Sequence, residues 1–565
     1  FPTVSPPPPK LPRQRAMAFR LAFAPSRCRG LRAGASSWRC SPAPLGLRSI
    51  RTGFFPDDPD FIDPEAPLLA EPLNARWRYM DDPSLRANIL ERSNVGMGML
   101  VINRAQGLDL ASVNDLYRRL RDLEVNSLKR FVGVTAMEPG PFCLGVDPKE
   151  LLLAATCARI TGKLPRFSRA LLWHSQELAH LMADYRKPLV CQMSGSSRES
   201  GAAMACLASF AGAHDDSEIV VEACFNGLVP FGGMTYVLGS LKWNLGEFLA
   251  LTGWPVRGSD LVYTGLVQHW LSPEALPFLE LTAEKQLEVS EADARALLDE
   301  HSLPLPGGLR DAASLEEGDS LQRSFIPLIN EAFSAEKSSP SAIQQALEEI
   351  KTRSSLTPSQ LEFVQECLDR MSKASPLAAH ATLRLIREAK RVIKESGLAS
   401  HDSPGQHGEH GEHGALVHVL RLELKAQQKL LCSKDAILGL HARCMGQELQ
   451  RGEWSRRDLS DMTVQEVDDV VNVKEPASAS AEEPLFAVHS RSEMPLSAHP
   501  RLRRYHPDYD PATGLDHDPV WMASETKRWS PDLFAEERRQ AVEELLGDSD
   551  PALFGLSRWT RVERS

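Results

Sequence analysis

The sequence lacks the long apolar runs that mark a membrane-spanning helix. No window comes near the roughly eighteen uninterrupted apolar residues that such a helix needs. We therefore expect no transmembrane segment, and peripheral membrane contact stays open. At 565 residues, with 42% hydrophobic and 25% charged residues, the chain has the composition of an ordinary globular protein and is long enough for two or three domains.

The ten cysteines lack the spacing of a metal or redox motif. None forms a CxxC pair or a cysteine-histidine ladder, so no zinc site and no thioredoxin-like motif is predicted. Irregular spacing is typical of reduced, mostly buried thiols. The stretch HDSPGQHGEHGEHG at 401–414 leaves adventitious metal binding by His407, His410 and His413 open, but its low complexity favours a solvated loop.

Acidic residues are absent from the beginning of the sequence. Segment 1–53 carries ten Lys or Arg and no Asp or Glu, and the first acid is Asp57. This composition is typical of a mitochondrial transit peptide, so we predict a matrix protein that loses 1–53, with Met17 as the start of the signal. A basic, nucleic-acid-binding tail is the alternative. Removal of 1–53 would change the net charge from −11 to about −21, which argues against a broad RNA-wrapping surface.

Strand and helix patterns alternate up to about Leu271. GMGMLVINR and LKRFVGVTAM are typical of strands, and between them LASVNDLYRRLRDLE has the three- and four-residue spacing of an amphipathic helix. KPLVCQM and EIVVEA continue the strand series. The alternation predicts an α/β domain, with its core at 91–275 and an extended arm rich in Pro and Asp at 54–90.

Strand patterns nearly vanish after this domain. Helical periodicity marks AIQQALEEIKTR, TPSQLEFVQECLDRMSK, LAAHATLRLIREAKRVIKES and ALVHVLRLELKAQQKLLCS. We predict helical regions at 276–400 and, beyond the loop at 401–414, at 415–474. Segment 475–565 is a polar extension with isolated aromatics such as Trp529. Such aromatics are typical of docking onto a partner, and packing against the parent domain is the alternative.

Three motifs together resemble the crotonase, or enoyl-CoA hydratase, superfamily. PFCLGVD at 141–147 is similar to its Phe-Cys-Ala-Gly-Gly-Asp turn, and NGLVPFGGMTYVL at 226–238 to its Gly-Leu-x-Pro-Asp-x-Gly-Gly stretch. GEFLALTGWPVRGSDLVYTGLVQHWL and the helical C-terminal part resemble the 3-hydroxyisobutyryl-CoA hydrolase branch, so that the resemblance covers about 90–473. It implies an α/β core of repeated ββα units, an α-helical C-terminal region and an acyl-CoA pocket.

The resemblance implies two backbone N–H groups that polarise the thioester carbonyl. By position the first falls at Leu144, where any residue supplies an N–H, although Val146 replaces a glycine that we expect to need a left-handed conformation. The second falls at Ser200 in MSGSSRESGAAMACLASF, where Glu199 and Ser200 replace two of three glycines. Losing one such donor costs about 3 to 4 kcal/mol of transition-state stabilisation, and we expect Glu199 to repel the developing negative charge.

The resemblance also implies two carboxylates that manage the attack of water. Counting back from Gly227, the first aligns with Ala223. A one-residue gap would bring in Glu222 instead, but such a slip in a strand turns the side chain to the opposite face. Only Phe231 stands where the family has two residues, the first an aspartate. Asp147 is a substitute acid by proximity, but its place in the turn favours helix capping.

These departures favour a catalytically degenerate member of the hydrolase branch. We expect a structural subunit of a mitochondrial assembly, most of all the small subunit of the mitochondrial ribosome, where non-catalytic relatives of this branch are known. Its partners would be ribosomal proteins, with limited rRNA contact and no cofactor. Another mitochondrial complex, for example a respiratory one, is an alternative assembly. The alternatives in function are an active 3-hydroxyisobutyryl-CoA hydrolase of valine catabolism and a module that binds CoA without turnover. Basic residues near the pocket would separate these readings, but the sequence does not place Arg104, Lys129, Arg130, Lys149 or Arg198.

Overall fold

The computed structural model of the chain describes residues 88–93, 96–104, 107–137, 140–162, 164–272, 275–276, 278–280, 291–303, 321–396, 412–450 and 452–471. The expected transit peptide, the arm up to residue 87, most of the histidine-rich stretch and the C-terminal extension lie outside these ranges.

Within these ranges the strands are β1 Ile89–Ser93, β2 Gly96–Ile102, β3 Lys129–Ala136, β4 Leu189–Gln192, β5 Ser196–Arg198, β6 Phe210–Ala213, β7 Glu218–Val220, β8 Val256–Arg257 and β9 His269–Trp270. The helices are α1 Leu110–Val125, α2 Pro148–Thr161, α3 Arg166–Ala183, α4 Glu199–Leu207, α5 Met234–Ser240, α6 Leu245–Thr252, α7 Asp260–Tyr263, α8 Glu291–Glu300, α9 Ile326–Ala332, α10 Pro340–Lys351, α11 Pro358–Lys373, α12 Pro376–Glu395, α13 Glu412–Leu431, α14 Lys434–Cys444 and α15 Val464–Val470.

A mixed sheet of order β1-β2-β3-β4-β6-β9 forms the centre of the α/β part. Strands β2 to β9 in this sheet run parallel, and β1 pairs antiparallel with β2. Strand β2 is buried along its whole length, as expected for a parallel strand covered on both faces. Alternate β2 residues enter two different cores: Leu100 and Ile102 pack in the larger one, and Met97, Met99 and Val101 in the smaller.

Strand β1 corrects the boundary that the sequence suggested. Residues 89 and 90 were expected to belong to the extended arm, but Leu90 pairs with Val101 and is buried in the smaller core. The pattern ILERS is too short to show alternation, whereas the sheet edge beside β2 provides hydrogen-bonding partners. The α/β core therefore begins at or before Ile89 among the described residues.

A second sheet has the order β5-β7-β8, and its strand β5 leads directly into α4. Strand β5 runs parallel to β7, with Ser197 opposite Ile219. An isolated bridge joins Cys143 to Ser197, so the 141–147 turn lies directly beside this small sheet. The start of α4 is thereby held against that turn.

The helices predicted after the α/β core are confirmed as α10 to α13. Pro stands at the first turn of α10, α11 and α12, and a Ser or Thr side chain caps each N terminus. Thr357 and Gln360 form a full capping box at the start of α11. Helix α13 begins at Glu412, inside the segment expected to be a loop. Across the ranges that the structure describes, no helix is both long and apolar enough to span a membrane.

Candidate functional site

Two chain turns meet where the resemblance predicts the thioester-binding groups. Gly145 has a φ of +77°, and a β-carbon added there would lie 3.0 Å from the carbonyl oxygen of Arg198 and 3.1 Å from Oγ of Ser200. The left-handed conformation therefore falls on Gly145, which is still a glycine. Val146 has no positive φ, so the strain expected from its side chain is absent.

Leu144 and Ser200, the two candidate N–H donors, line one pocket. Ser200 is the second residue of α4, where a helix leaves its N–H groups without an intrahelical acceptor. Neither N–H donates to a backbone carbonyl in the part of the chain that the structure describes. The structure thus brings together both positions inferred for the oxyanion-binding groups.

Glu199 lies beside these groups and is tied to the neighbouring chain. Its φ of +46° is strained for a residue other than glycine. Its Oε1 accepts a hydrogen bond of 2.5 Å from the backbone N–H of Glu222, while Oε2 is enclosed and has no hydrogen-bond partner among the described residues. Burial raises the pKa of Glu199 to about 7, against the lowering effect of Arg443. The carboxyl is therefore partly neutral at pH 7, and the repulsion expected from it is weaker than that of a full charge.

The side chains of Glu222 and Ala223 have different neighbours: Ala223 faces the pocket, and Glu222 faces two arginines. Ala223 lines the pocket and begins a short 3₁₀ turn, Ala223–Asn226. The carboxylate of Glu222 is bound by Arg198 and, at 3.1 Å, by Nη1 of Arg443. The aligned position therefore presents a methyl group to the pocket, and its neighbouring acid is engaged with two guanidinium groups.

Phe231 contributes an apolar wall from the turn that precedes α5. The next residue, Gly232, packs so closely on α4 that an added β-carbon would lie 2.4 Å from Cβ of Ser200. Gly232 and Gly145 therefore both pack closely against Ser200.

Glu423 on α13 holds the same turn, a role that sequence reasoning missed. Its buried carboxylate accepts hydrogen bonds from the backbone N–H groups of Gly233 (2.9 Å) and Thr235 (2.8 Å) and from Nε2 of Gln176 (3.0 Å). Burial raises the pKa of Glu423 to about 7. The sequence offered one indication, because Glu423 stands three residues after Leu420 and so falls on the apolar face of the predicted helix.

The pocket is narrow and mostly apolar. Its volume is about 40 Å³, and one side of it is open to solvent. The polar groups at its wall come from few side chains, and one of them, Gln427, accepts a hydrogen bond of 3.3 Å from the N–H of Val229. The lining residues are Leu144, Val146, Pro148, Leu151, Leu172, Glu199, Ser200, Ala223, Asn226, Leu228, Val229, Phe231, Gln427, Leu440 and Arg443.

Asp147 caps α2, as its place in the turn predicted. Its side chain accepts a hydrogen bond of 2.9 Å from the N–H of Lys149, and it pairs with Arg104 at 2.9 Å. Arg104 and Arg198 are thus engaged in ion pairs within the chain, and Lys129 is largely buried. Within the ranges that the structure describes, no group of His, Cys, Asp and Glu side chains could hold a metal ion.

The profile of a known family, enoyl-CoA hydratase/isomerase, matches residues 97–471. The chain is similar to the mitochondrial 3-hydroxyisobutyryl-CoA hydrolase of Rattus norvegicus, with 24% identity over 378 residues, 66% of this chain and 86% of the relative. The Homo sapiens enzyme of the same name is 22% identical over 373 residues, 66% of this chain and 84% of the relative.

Solved structures support the fold. A carnitinyl-CoA dehydratase from Mycobacterium thermoresistibile superposes with a TM-score of 0.54 at 20% identity, covering 70% of this chain and 99% of the other. An enoyl-CoA hydratase from Rhodobacter sphaeroides gives a TM-score of 0.52 at 22% identity, covering 68% and 97%. The fold is thus crotonase-like, as the motifs indicated, and the matching segment includes the pocket and the C-terminal helices around it. The chain belongs to the enoyl-CoA hydratase/isomerase family.

Proposed function

We propose that this chain is a non-catalytic member of its family that serves as a structural subunit of a mitochondrial assembly. The observation that carries the proposal is the position of Glu199. Glu199 is the first residue of α4 and directly precedes Ser200, whose N–H would face the substrate, and its carboxyl is bound to the N–H of Glu222. Ala223 leaves no carboxylate at the aligned position, and Glu222 is occupied by two arginines.

The lining of the pocket supports the same conclusion. The pocket opens to solvent, and at the aligned position Ala223 offers a methyl group where a carboxylate would direct water. Phe231 and Leu440 are among the side chains that narrow the pocket. Widening the pocket would require these walls to move, and the Glu423 hydrogen bonds hold the turn that carries Phe231.

The mitochondrial part of the proposal is supported by the relatives and by segment 1–53. The similar hydrolases carry "mitochondrial" in their names, and 1–53 contains ten basic and no acidic residues. We place the subunit in the mitochondrial matrix and take the small subunit of the mitochondrial ribosome as its assembly. The resemblance to non-catalytic members of the hydrolase branch and the aromatic-bearing extension at 475–565 support this choice. The net negative charge of the chain favours ribosomal proteins over rRNA as partners, because rRNA is itself negatively charged.

Two measurements on the full chain test the proposal. Purified protein should hydrolyse 3-hydroxyisobutyryl-CoA no faster than background, and the native protein should sediment from mitochondrial lysate with small-subunit ribosomal proteins. Deleting 475–565 should release the protein from that complex while leaving the thermal stability of the core unchanged. Sedimentation as a monomer, or turnover of about 1 to 1,000 per second, would contradict the proposal.

An active thioester hydrolase is a second candidate, and one observation favours it. Glu199 lines the pocket, has an enclosed Oε2 without a hydrogen-bond partner among the described residues, and has a pKa raised to about 7 by burial. A carboxyl with such a pKa exchanges protons readily at neutral pH and suits a general base. In this case hydrolysis would be measurable and Glu199→Gln would abolish it, while Glu222→Gln would retain most of it.

A further inference from the structure

The tight turn between α5 and α6 contains two consecutive residues in the left-handed conformation. The N–H of Leu245 donates to the carbonyl oxygen of Lys242 at 3.1 Å, which closes a four-residue turn. Its central residues, Trp243 and Asn244, have φ values of +57° and +54°. Both are left-handed, a conformation that favours glycine or asparagine and strains a tryptophan.

The surrounding structure prevents this turn from relaxing. A β-carbon added at Gly246 would lie 2.1 Å from the carbonyl oxygen of Leu238, so the backbones of α5 and α6 are in direct contact at this point. The side chain of Asn244 donates to the carbonyl oxygen of Asn330 and accepts from Nζ of Lys390, both at 3.3 Å. The corner therefore imposes the left-handed conformation on whatever residue occupies position 243.

Trp243 is only partly covered by the rest of the chain. Its side chain is 45% exposed. In the part of the chain that the structure describes, its indole N–H has no hydrogen-bond partner and its ring has no aromatic neighbour. A large aromatic side chain that is both strained and exposed is the kind of residue that anchors interfaces.

Lysine side chains lie next to Trp243 in the sequence and on the neighbouring helix α12, beside the acids Glu247 and Glu395, which are held in ion pairs. Lys242 is exposed and precedes Trp243 in the chain. Lys390 lies against Asn244 and is paired with the buried Glu247, and Lys394 is exposed one helical turn further along α12. Cations at the edge of an aromatic anchor favour a partner surface with carboxylates.

We propose that Trp243 inserts into an apolar recess, rimmed by carboxylates, on a partner protein. The proposal rests on the proposed function, because it names the contact through which this subunit joins its assembly. A protein is favoured over RNA because single-stranded nucleic acid is bound by several stacking aromatics in a basic groove. Trp243 is the only strongly exposed aromatic near these lysines among the described residues, and the whole chain has a net charge of −11.

The variant Trp243→Gly in the full chain separates a docking role from a structural one. Glycine adopts the left-handed conformation without strain, so the isolated variant should keep or raise its Tm, by about 1 to 3 °C. Its affinity for the native complex should fall by about tenfold or more. Leu361→Ala is the matched control, because Leu361 is 41% exposed on α11 and has no positive φ. It should change neither measurement.

The outcomes distinguish this inference from the proposed function. If wild type enters the complex and Trp243→Gly enters it equally well, only the docking inference is wrong. If wild type sediments alone, both are wrong. A lower Tm for Trp243→Gly would show that the indole stabilises the fold, which would contradict the docking role. A photoreactive aromatic at position 243 should crosslink to a peptide that contains both apolar and acidic residues, and a crosslink to nucleic acid would overturn the choice of a protein partner.

Discussion

Glu199 accepts a hydrogen bond from the backbone N–H of Glu222, and this bond joins the start of α4 to the segment between β7 and the 3₁₀ turn at Ala223. Within the family's arrangement, the first segment would carry a thioester-binding N–H and the second a carboxylate. In this chain one side chain links the two segments at the wall of the pocket. The raised pKa of Glu199 makes the strength of this link dependent on pH.

We predict that Glu199 makes the folded protein less stable as pH rises from about 4.5 to about 7. Burial raises the pKa of Glu199 from 4.5 to about 7, so in this window the folded chain retains a proton that the unfolded chain has released. The free energy of unfolding therefore falls with rising pH, by up to about 3 kcal/mol from this group, and levels off above pH 7. Glu199→Gln should flatten this part of the profile, measured by urea unfolding at pH 5 and pH 8. The exposed Glu362→Gln is the control, and an unchanged slope in Glu199→Gln would contradict the assignment.

Glu423→Gln should be much more damaging at neutral pH than Glu199→Gln, although burial raises the pKa of both carboxyls to about 7. Glu423 accepts hydrogen bonds from three N–H donors, and the amide group of glutamine would bring its own N–H groups against them. We expect a loss of at least about 2 kcal/mol in unfolding free energy for Glu423→Gln. Equal losses in the two variants at pH 7 would show that the Glu423 hydrogen bonds do not hold the turn.

Arg443→Met should raise the pKa of Glu199 further. The positive charge of Arg443 favours the ionised form of Glu199, and Glu222 keeps Arg198 as a partner when Arg443 is removed. The pH at which the stability profile levels off should then move above that of wild type. Arg456→Met, which removes a surface ion pair with Glu466, provides the control. A downward movement of this pH would reverse the inferred electrostatic coupling.

Gly201→Ala should destabilise the protein by about 3 kcal/mol, because its β-carbon would lie 2.3 Å from the backbone oxygen of Cys143. That contact holds the start of α4 against the 141–147 turn. Gly414→Ala is the matched variant, because a β-carbon at Gly414 meets nothing within 4 Å near the start of α13. It should stabilise by up to about 1 kcal/mol. Thermal unfolding of both proteins tests the difference, and similar Tm shifts would contradict it.

The longer elements were predictable from the sequence because their periodicity is repeated over several turns. Helix α1 and helices α10 to α13 lie where apolar spacing placed them, and β2, β3 and β4 coincide with the strong apolar runs. Strands β8 and β9 have two residues each, too few to show any period. Tertiary pairing alone determines such strands.

The family motifs identified several residues that line the pocket, but not the contacts of their side chains. Leu144, Ser200, Ala223 and Phe231, identified by alignment to family motifs, all line one pocket. The bond from Glu222 to Glu199 depends on the direction of one side chain, and the expectation of simple charge repulsion missed it. Glu423 could not be assigned from the motifs because its hydrogen-bonding partners lie far away in the sequence.

That distance has a consequence for the newly made chain. Gly233 leaves the ribosome 190 residues before Glu423 does, and at about 5 to 20 residues per second the interval is roughly 10 to 40 s. During this time the N–H groups of Gly233 and Thr235 lack the acceptor that they bind in the finished protein. Under the proposed import into mitochondria the same order recurs, because the N-terminal part enters first, and a chain truncated before Glu423 would leave this turn exposed to chaperones and proteases.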